Sequence, residues 1–185
     1  SGIDAYKMEA EGYFANPVQT PYGIVITDNM ASKLYLLNNG KLEVLVEAPG
    51  CGRYFTVSPD KKRIGFKLIN EQGLQSPAVF DLSEKSVEIL HKPVKLCGQV
   101  SFSKDGKTAF TVGEQLYIQQ NRKTTVYDLG YYANIAPVSP DGKNAVFNNQ
   151  DDQLLVINLD NRSIRQITDN RSGYVYPKWS PDGDK

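Results

Sequence analysis

Residues 138–147 read Val-Ser-Pro-Asp-Gly-Lys-Asn-Ala-Val-Phe, and this stretch decides the fold. Proline at the second position of a β-turn presets its φ angle, aspartate or serine accepts hydrogen bonds from nearby backbone amides, and glycine tolerates a left-handed exit. Apolar residues flank the turn, with Val138 before it and Ala145 and Phe147 after it. The stretch therefore predicts a tight turn that joins two antiparallel strands.

The same phrase recurs along the chain at residues 57–66 and 102–110, begins again at 179–185, and has a weaker copy at 19–27. The five copies are spaced 38, 45, 36 and 41 residues apart, measured between Thr20, Ser58, Ser103, Ser139 and Ser180. A repeat of about 40 residues with several short strands is typical of a propeller blade. The apolar spacing of a helical solenoid is missing. We therefore expect an all-β chain, a β-propeller built of four-stranded antiparallel blades.

The predicted blades each contain four strands, A to D from the inner strand outward. They cover roughly residues 12–48, 50–91, 96–129 and 131–169, and the start of a fifth covers 173–185. About four and a half blades are thus expected in one domain, with the last one incomplete. Because residues 1–11 are too few for three strands of about five residues each, we expect this chain to be part of a larger propeller of about six to eight blades. The open sides of the first and last blades then predict self-association or pairing with the rest of the propeller.

Inner strands A are expected near residues 12–18, 54–57, 99–102 and 134–138, and the longest B–C connection is expected at 70–77. Cys51 and Cys97 lie at similar places before the inner strands of adjacent repeats. They could form a disulfide or remain two separate thiols. The separate thiols are favoured, because a disulfide requires Cα atoms within about 7 Å.

Composition excludes several classes of function. Lysine and arginine together number 21, as do aspartate and glutamate, so the net charge is zero and no basic footprint for nucleic acid is present. No apolar run approaches the roughly 18–20 residues of a membrane-spanning helix. We expect neither a nucleic-acid partner nor a membrane span.

Motifs for catalysis or cofactor binding are absent from the sequence. There is no Gly-x-Ser-x-Gly, no glycine-rich phosphate loop and no zinc-type cysteine spacing, and His91 is the only histidine. Asp151 and Asp152 could help to bind calcium, but a solvated turn is the favoured interpretation. One aspartate recurs in each turn, and a turn-forming role explains the recurrence better than acid chemistry does. We expect no catalytic residue, no metal and no cofactor. The recurring residues are Asp60, Asp105, Asp141 and Asp182.

The topology of a four-stranded blade suggests where a ligand would bind. The A–B and C–D turns share one face of the disc, and the more variable B–C and D–A connections share the other. Aromatic and arginine residues that precede successive A strands are expected to surround the channel mouth on this variable face. Tyrosine and arginine are enriched at binding hot spots, although tyrosines also pack between blades with their hydroxyls in water. The candidate binding residues are Tyr13, Arg53, Tyr54, Tyr131, Tyr132, Arg171 and Tyr174.

The repeat resembles a known family. Ser-Pro-Asp-Gly followed by a short apolar strand and by a tail such as residues 155–168 is similar to the WD-like repeats of the TolB β-propeller family, and residues 176–183, Tyr-Pro-Lys-Trp-Ser-Pro-Asp-Gly, are an especially similar copy. Similar repeats occur in propeller domains of prolyl-oligopeptidase-type peptidases and in bacterial envelope lipoproteins. The resemblance implies an exported bacterial protein, periplasmic or associated with the outer membrane, with protein partners.

Three functions are consistent with the sequence. The first is a non-catalytic module that binds a protein or peptide over the variable face, for which a rigid scaffold with variable loops is suited. The second is the propeller of a prolyl-oligopeptidase-type peptidase, which would gate access to a catalytic domain outside this chain. The third is a carbohydrate-binding propeller, which an aromatic channel mouth would allow.

Overall fold

The computed structural model describes residues 12–169, 173 and 176–183, and every strand in those ranges belongs to an antiparallel sheet. Within each sheet the strands follow one another in chain order, as they do in propeller blades. The described ranges contain no helix, and hence no helix with the length and apolar character needed to cross a membrane. The prediction of an all-β chain built of consecutive antiparallel sheets is confirmed.

The four sheets are called blades 1 to 4. Blade 1 contains β1 (Phe14–Thr20), β2 (Gly23–Asp28), β3 (Lys33–Asn38) and β4 (Lys41–Glu47). Blade 2 contains β5 (Thr56–Val57), β6 (Arg63–Ile69), β7 (Gln75–Asp81) and β8 (Ser86–Ile89). Blade 3 contains β9 (Ser101–Phe102), β10 (Thr108–Val112), β11 (Gln115–Gln120) and β12 (Lys123–Asp128). Blade 4 contains β13 (Asn144–Asn148), β14 (Leu154–Asn158) and β15 (Ile164–Gln166).

The repeated turn has the same hydrogen bonds from blade to blade. In blade 4, the Ser139 hydroxyl donates to Asp141 at 2.5 Å and accepts from the backbone N–H of Asn144 at 3.0 Å. Ser58 makes the equivalent bonds in blade 2, with Asp60 at 2.5 Å and Arg63 at 2.9 Å. The hydrogen bond from serine keeps the pKa of Asp60 and of Asp141 below its ordinary value. These aspartates therefore hold the turn, as a turn-forming side chain should.

Each blade buries its apolar face against the next blade. One cluster joins Val25 of blade 1 to Phe66 of blade 2, a second joins Val79 of blade 2 to Phe110 of blade 3, and a third joins blade 3 to Phe147 of blade 4. The three phenylalanines follow the turn at nearly the same spacing, and each is fully buried. Burying a side chain of this size stabilises the fold by about 1.5–3 kcal/mol. The core therefore lies between blades, and the repeat supplies it.

Three of the four inner strands are shorter than the sequence predicts. β5 and β9 have two residues each, and strand A of blade 4 is reduced to one bridge between Val138 and Ala145. β1 has the predicted length but is shifted by two residues, to Phe14–Thr20. The residues that precede the shortened strands also form hydrogen bonds with the neighbouring blade. For example, the N–H of Gln99 donates to the carbonyl of Asn134 at 2.6 Å.

The B–C connection of blade 2 is also shorter than predicted. Where a connection over residues 70–77 is expected, β6 continues to Ile69 and β7 begins at Gln75, which leaves a turn of residues 70–74. The Asn70 side chain closes this turn by accepting two of its backbone N–H groups, at 2.9 and 3.0 Å. Gln75, the first residue of β7, also forms a β-bridge with Val94 through backbone hydrogen bonds of 2.7 and 2.9 Å. The expected long loop is thus an extended hairpin.

Both cysteines are buried and unbonded to each other, as expected. Their surroundings differ, however, although their sequence positions are similar. Cys51 lies in the apolar cluster between blades 1 and 2, whereas Cys97 forms a bridge with Val112 of β10.

At the start of the fifth unit, the Trp179 indole donates to the carbonyl of Pro137 at 2.8 Å, which attaches this segment to blade 4.

Candidate functional site

The strongest candidate site lies at the end of the strands opposite to the Ser-Asp turns. β6 begins at Arg63, next to the turn of residues 58–62, and ends at Ile69, so Lys67 lies near its far end. Because neighbouring strands are antiparallel, the B–C turns and D–A connections meet there. This end of the disc, called the loop face below, is the face for which a ligand site is predicted.

A cavity of about 200 Å³ opens on the loop face. The chain segments that line it belong to three blades: the connection into blade 2, the β6–β7 hairpin, and the inner segments of blades 3 and 4. Its polar lining residues are Arg53, Tyr54, Lys67, Gln75, Gln99 and Asn134. It is called the cationic cavity below, because two of these side chains carry positive charge.

The ammonium group of Lys67 finds only part of its hydrogen-bond and charge partners within the described protein. It donates to the carbonyl of Cys97 at 3.0 Å and contacts Oε1 of Gln75 at 3.5 Å. No carboxylate lies within ion-pair distance of Lys67 or Arg53 among residues 12–169, 173 and 176–183. Burial lowers the pKa of Lys67, and the nearby charge of Arg53 lowers it further. The cavity therefore concentrates positive charge that no described acidic side chain neutralises.

Cys97 does not supply the missing negative charge. Burial raises the pKa of its thiol to about 11, so the thiol stays protonated near neutral pH. Its carbonyl is shared, since it accepts from Tyr132 at 3.3 Å as well as from Lys67. The same burial raises the pKa of Tyr132. Tyr132 therefore helps to fix the wall of the cationic cavity.

Gln99 is a further unusual residue in this wall. Its side chain lines the cavity although the residue is only 4% exposed, and its amide makes no hydrogen bond to any residue that the structure describes. The amide of Gln99 is therefore available to a ligand in the cavity.

A second cavity, of about 260 Å³ and mostly apolar, adjoins the first through Tyr54 and Gln99. Its other lining residues include Ile135, Tyr176 and Pro177, and it is called the apolar cavity below. The rings of Tyr54 and Tyr176 contact each other with their centroids 5.4 Å apart. Tyr176 has a φ of 55°, a left-handed conformation that is uncommon for a tyrosine and tends to occur at functional sites.

The structure brings some of the predicted binding residues together and separates others. Arg53 and Tyr54 line the cationic cavity, and Tyr132 braces it. Tyr13 is 82% exposed at the start of blade 1, and Tyr131 is exposed outside both cavities. The remaining two candidates, Arg171 and Tyr174, lie outside the described residues.

Sequence reasoning missed Lys67, Gln75 and Gln99. A signal for Lys67 was present, because it interrupts an otherwise apolar strand, Ile-Gly-Phe-Lys-Leu-Ile, at residues 64–69. His91 contacts the ring of Tyr117 with centroids 5.4 Å apart, as a packing histidine does. No group of three or more potential metal ligands occurs in the part of the chain that the structure describes.

Repeated four-stranded blades with cores between them place the chain among the β-propellers. More particularly, its fold is that of the TolB propellers. A TolB structure from Agrobacterium tumefaciens is 19% identical with a TM-score of 0.67, and it matches 88% of this chain and 64% of its own. TolB from Acinetobacter baumannii is 20% identical with a TM-score of 0.62, over 93% of this chain and 47% of its own.

A structure of prolyl endopeptidases is also similar, at 14% identity and a TM-score of 0.56, over 85% of this chain and 30% of its own. No protein-family model matches the sequence, and no curated protein matches it either. The chain spans about half to two thirds of the length of the TolB structures. The similarity therefore establishes a TolB-like propeller fold.

Proposed function

We propose that this chain is a non-catalytic propeller module that binds a protein or peptide on its loop face. The observation that carries the proposal is the pair of adjoining cavities, whose lining comes from blades 2, 3 and 4 and from the start of the fifth unit. A site built from several blades and supported by a rigid scaffold has the concave form that ligand sites usually take.

The chemistry of the two cavities supports a binding role. The cationic cavity holds charge without a described counter-ion, and the apolar cavity exposes two tyrosines at its edge whose rings contact each other at a tilt of 30°. Aromatic and arginine side chains are the residues that dominate binding energy at interfaces. Arg53 and Tyr54 are therefore the proposed centre of the site, with Tyr132 as support. Tyr13, Tyr131, Arg171 and Tyr174 are proposed to extend it around the channel mouth.

The TolB-like fold supports a bacterial, exported protein that acts in the periplasm or at the outer membrane, with protein partners. We also propose that residues 1–185 belong to one propeller domain, with blades near 12–48, 50–91, 96–129 and 131–169 and part of a fifth at 173–185. Self-association or pairing with further propeller segments would cover the open blade sides.

A random peptide library displayed on phage tests the binding role. The 185-residue chain is immobilised, enriched peptides are synthesised, and their affinity is measured by fluorescence anisotropy. We expect Tyr54→Ala to weaken binding about tenfold, because a hot-spot aromatic contributes more than 1 kcal/mol. Ile89→Ala is the matched control, since Ile89 is an exposed apolar residue on the outer strand β8. Absence of enriched peptides, or equal losses in both variants, would contradict the proposal.

A second candidate function is the propeller of a peptidase, and the similarity to the prolyl endopeptidase structure favours it. In that case the loop face or channel would control which peptides reach a catalytic domain encoded elsewhere in the same gene. The gene sequence decides this point. A Gly-x-Ser-x-Gly segment with aspartate and histidine partners downstream would support the peptidase, and a gene without them would leave the binding module.

A further inference from the structure

We propose that the cationic cavity is a carboxylate-binding subsite, so that the ligand of the loop face is an acidic peptide segment with an apolar residue next to its carboxylate. This inference rests on the proposed peptide-binding function. It adds the chemical class of the ligand and assigns Lys67, Arg53 and Gln99 to its recognition.

The donors in the cavity suit a carboxylate. A lysine ammonium has three N–H donors, and Lys67 directs bonds to only two protein oxygens, one of them at the long distance of 3.5 Å. Arg53 makes no ion pair within residues 12–169, 173 and 176–183, and the amide of Gln99 adds a neutral donor there. A carboxylate accepts about four hydrogen bonds and pairs well with both cations.

The electrostatics favour an anion from outside over one from the protein. The thiol of Cys97, which interacts electrostatically with Lys67, is protonated near neutral pH. A cation without a counter-ion is unfavourable in a partly buried cavity, because it loses part of its hydration. Burial accordingly lowers the pKa of Lys67. A bound carboxylate would relieve this penalty and the repulsion between Lys67 and Arg53 at the same time.

The adjoining apolar cavity defines the second feature of the ligand. It shares Tyr54 and Gln99 with the cationic cavity, so a residue next to the bound carboxylate would enter it. Tyr176 and Pro177 there offer flat apolar surfaces to an aromatic or branched side chain. A peptide could present its carboxylate from an aspartate or glutamate side chain, or from its own C-terminus.

The test repeats the peptide-library selection with four proteins: the unaltered 185-residue chain, Lys67→Met, Arg53→Gln and Lys143→Met. Lys143 carries the same charge as Lys67 but is exposed next to a Ser-Asp turn, at the opposite end of the strands, so its variant is the matched control. Methionine keeps the length of the lysine side chain and suits its apolar strand, and circular dichroism confirms that each variant is folded. Arg53→Gln is a second test that leaves the sequence of β6 unchanged, and Arg53 is exposed.

We expect the unaltered chain and Lys143→Met to enrich peptides that contain an acidic residue beside an apolar one. Lys67→Met should lose the preference for acidic residues and keep the preference for apolar ones. Arg53→Gln should weaken the preference for acidic residues. A synthetic peptide from the selection should bind Lys67→Met about tenfold more weakly, since a hydrogen bond to a charged group is lost.

Two altered peptides identify the source of the carboxylate. If a side-chain carboxylate is bound, replacing Asp or Glu of the peptide by Asn or Gln should abolish its tighter binding to the unaltered chain than to Lys67→Met. If the terminal carboxylate is bound, amidating the C-terminus of the peptide should have this effect. Either result supports the subsite. Peptides enriched without acidic residues, or an acidic preference that survives in Lys67→Met, would overturn the subsite while the peptide-binding function stands. No enrichment with any protein would overturn both.

Discussion

Replacing Ser139 by alanine tests whether the recurring Ser-Asp turn stabilises the blades. The Ser139 hydroxyl is buried, donates to the Asp141 carboxylate at 2.5 Å, and accepts from the N–H of Asn144 at 3.0 Å. In Ser139→Ala the N–H of Asn144 loses its acceptor, while Asp141 keeps only the backbone N–H of Lys143 at 3.0 Å. A lost bond to a charged group together with an unpaired, partly buried N–H predicts a loss of about 2–3 kcal/mol in the free energy of unfolding.

The assay is urea unfolding followed by circular dichroism, with thermal melting as a second measure. For a chain of this length, about 2–3 kcal/mol corresponds to a melting temperature lower by roughly 5–10 °C. Ser83→Ala is the control, because the exposed Ser83 hydroxyl also bonds an aspartate at 2.5 Å, but Asp81 keeps two backbone donors at 2.8 and 3.0 Å. Its effect should stay within about 0.5 kcal/mol. Equal effects of the two variants would refute the assigned role of the turn.

Three further outcomes are expected. Gly98→Ala should lower the free energy of unfolding in urea by about 3 kcal/mol, because its Cβ would lie 2.0 Å from Oγ1 of Thr111 and 2.7 Å from the carbonyl of Asn134. Gly106→Ala, where the new Cβ meets nothing within 4 Å, should cost about 1 kcal/mol from its positive φ, and a larger loss there than at Gly98 would contradict this packing. The melting temperature should be constant above about pH 5 and fall below about pH 4. The pKa values of the turn carboxylates are lowered in the folded state. Their contribution to stability is therefore present above the unfolded pKa of 3.8 and is lost as the pH falls through the folded pKa values. A melting temperature that rises on acidification would contradict this. Finally, both cysteines should react with a thiol reagent at pH 8 only after unfolding, since both are buried with raised pKa values, and rapid reaction of the native chain would disprove this.

The elements that local chemistry determines could be predicted from the sequence. β10 (Thr108–Val112) and β13 (Asn144–Asn148) each begin directly after a copy of the repeated turn, as that phrase predicts. The aspartate and glycine of these turns act on their immediate neighbours, and the turn before β13 also has a proline, Pro140, where the turn before β10 has Lys104. The alternating apolar residues after each turn then determine which face is buried.

The inner strands and the β6–β7 hairpin could not be predicted in the same way. Gln99 donates its N–H to Asn134 of the next blade, and Gln75 pairs with Val94, so the partners are distant in sequence or lie in irregular segments. No local pattern encodes such bonds. The predicted strand of residues 134–138 therefore proved to be a single bridge, and the predicted loop of residues 70–77 proved to be a turn of residues 70–74 followed by the start of β7.

The candidate site shows the same division. Topology alone placed Arg53 and Tyr54 on the loop face, where they line the cationic cavity. Lys67 was missed because its position within an apolar strand shows only that a lysine interrupts the pattern. Its lack of an acidic partner depends on the tertiary structure. The position of Gln99 in the wall of the cationic cavity is likewise visible only once the blades are assembled.

Hydrogen–deuterium exchange of the 185-residue chain, with and without an acidic peptide from the library selection, tests the loop-face site most directly. Amides protected by a bound ligand exchange more slowly, and the method locates them along the chain. We predict that the peptide slows exchange at residues 50–55, 70–75 and 97–99, which surround the cationic cavity. Protection confined to the Ser-Asp turns at 58–62, 103–107 and 139–143, or to the outer strands, would contradict a site on the loop face.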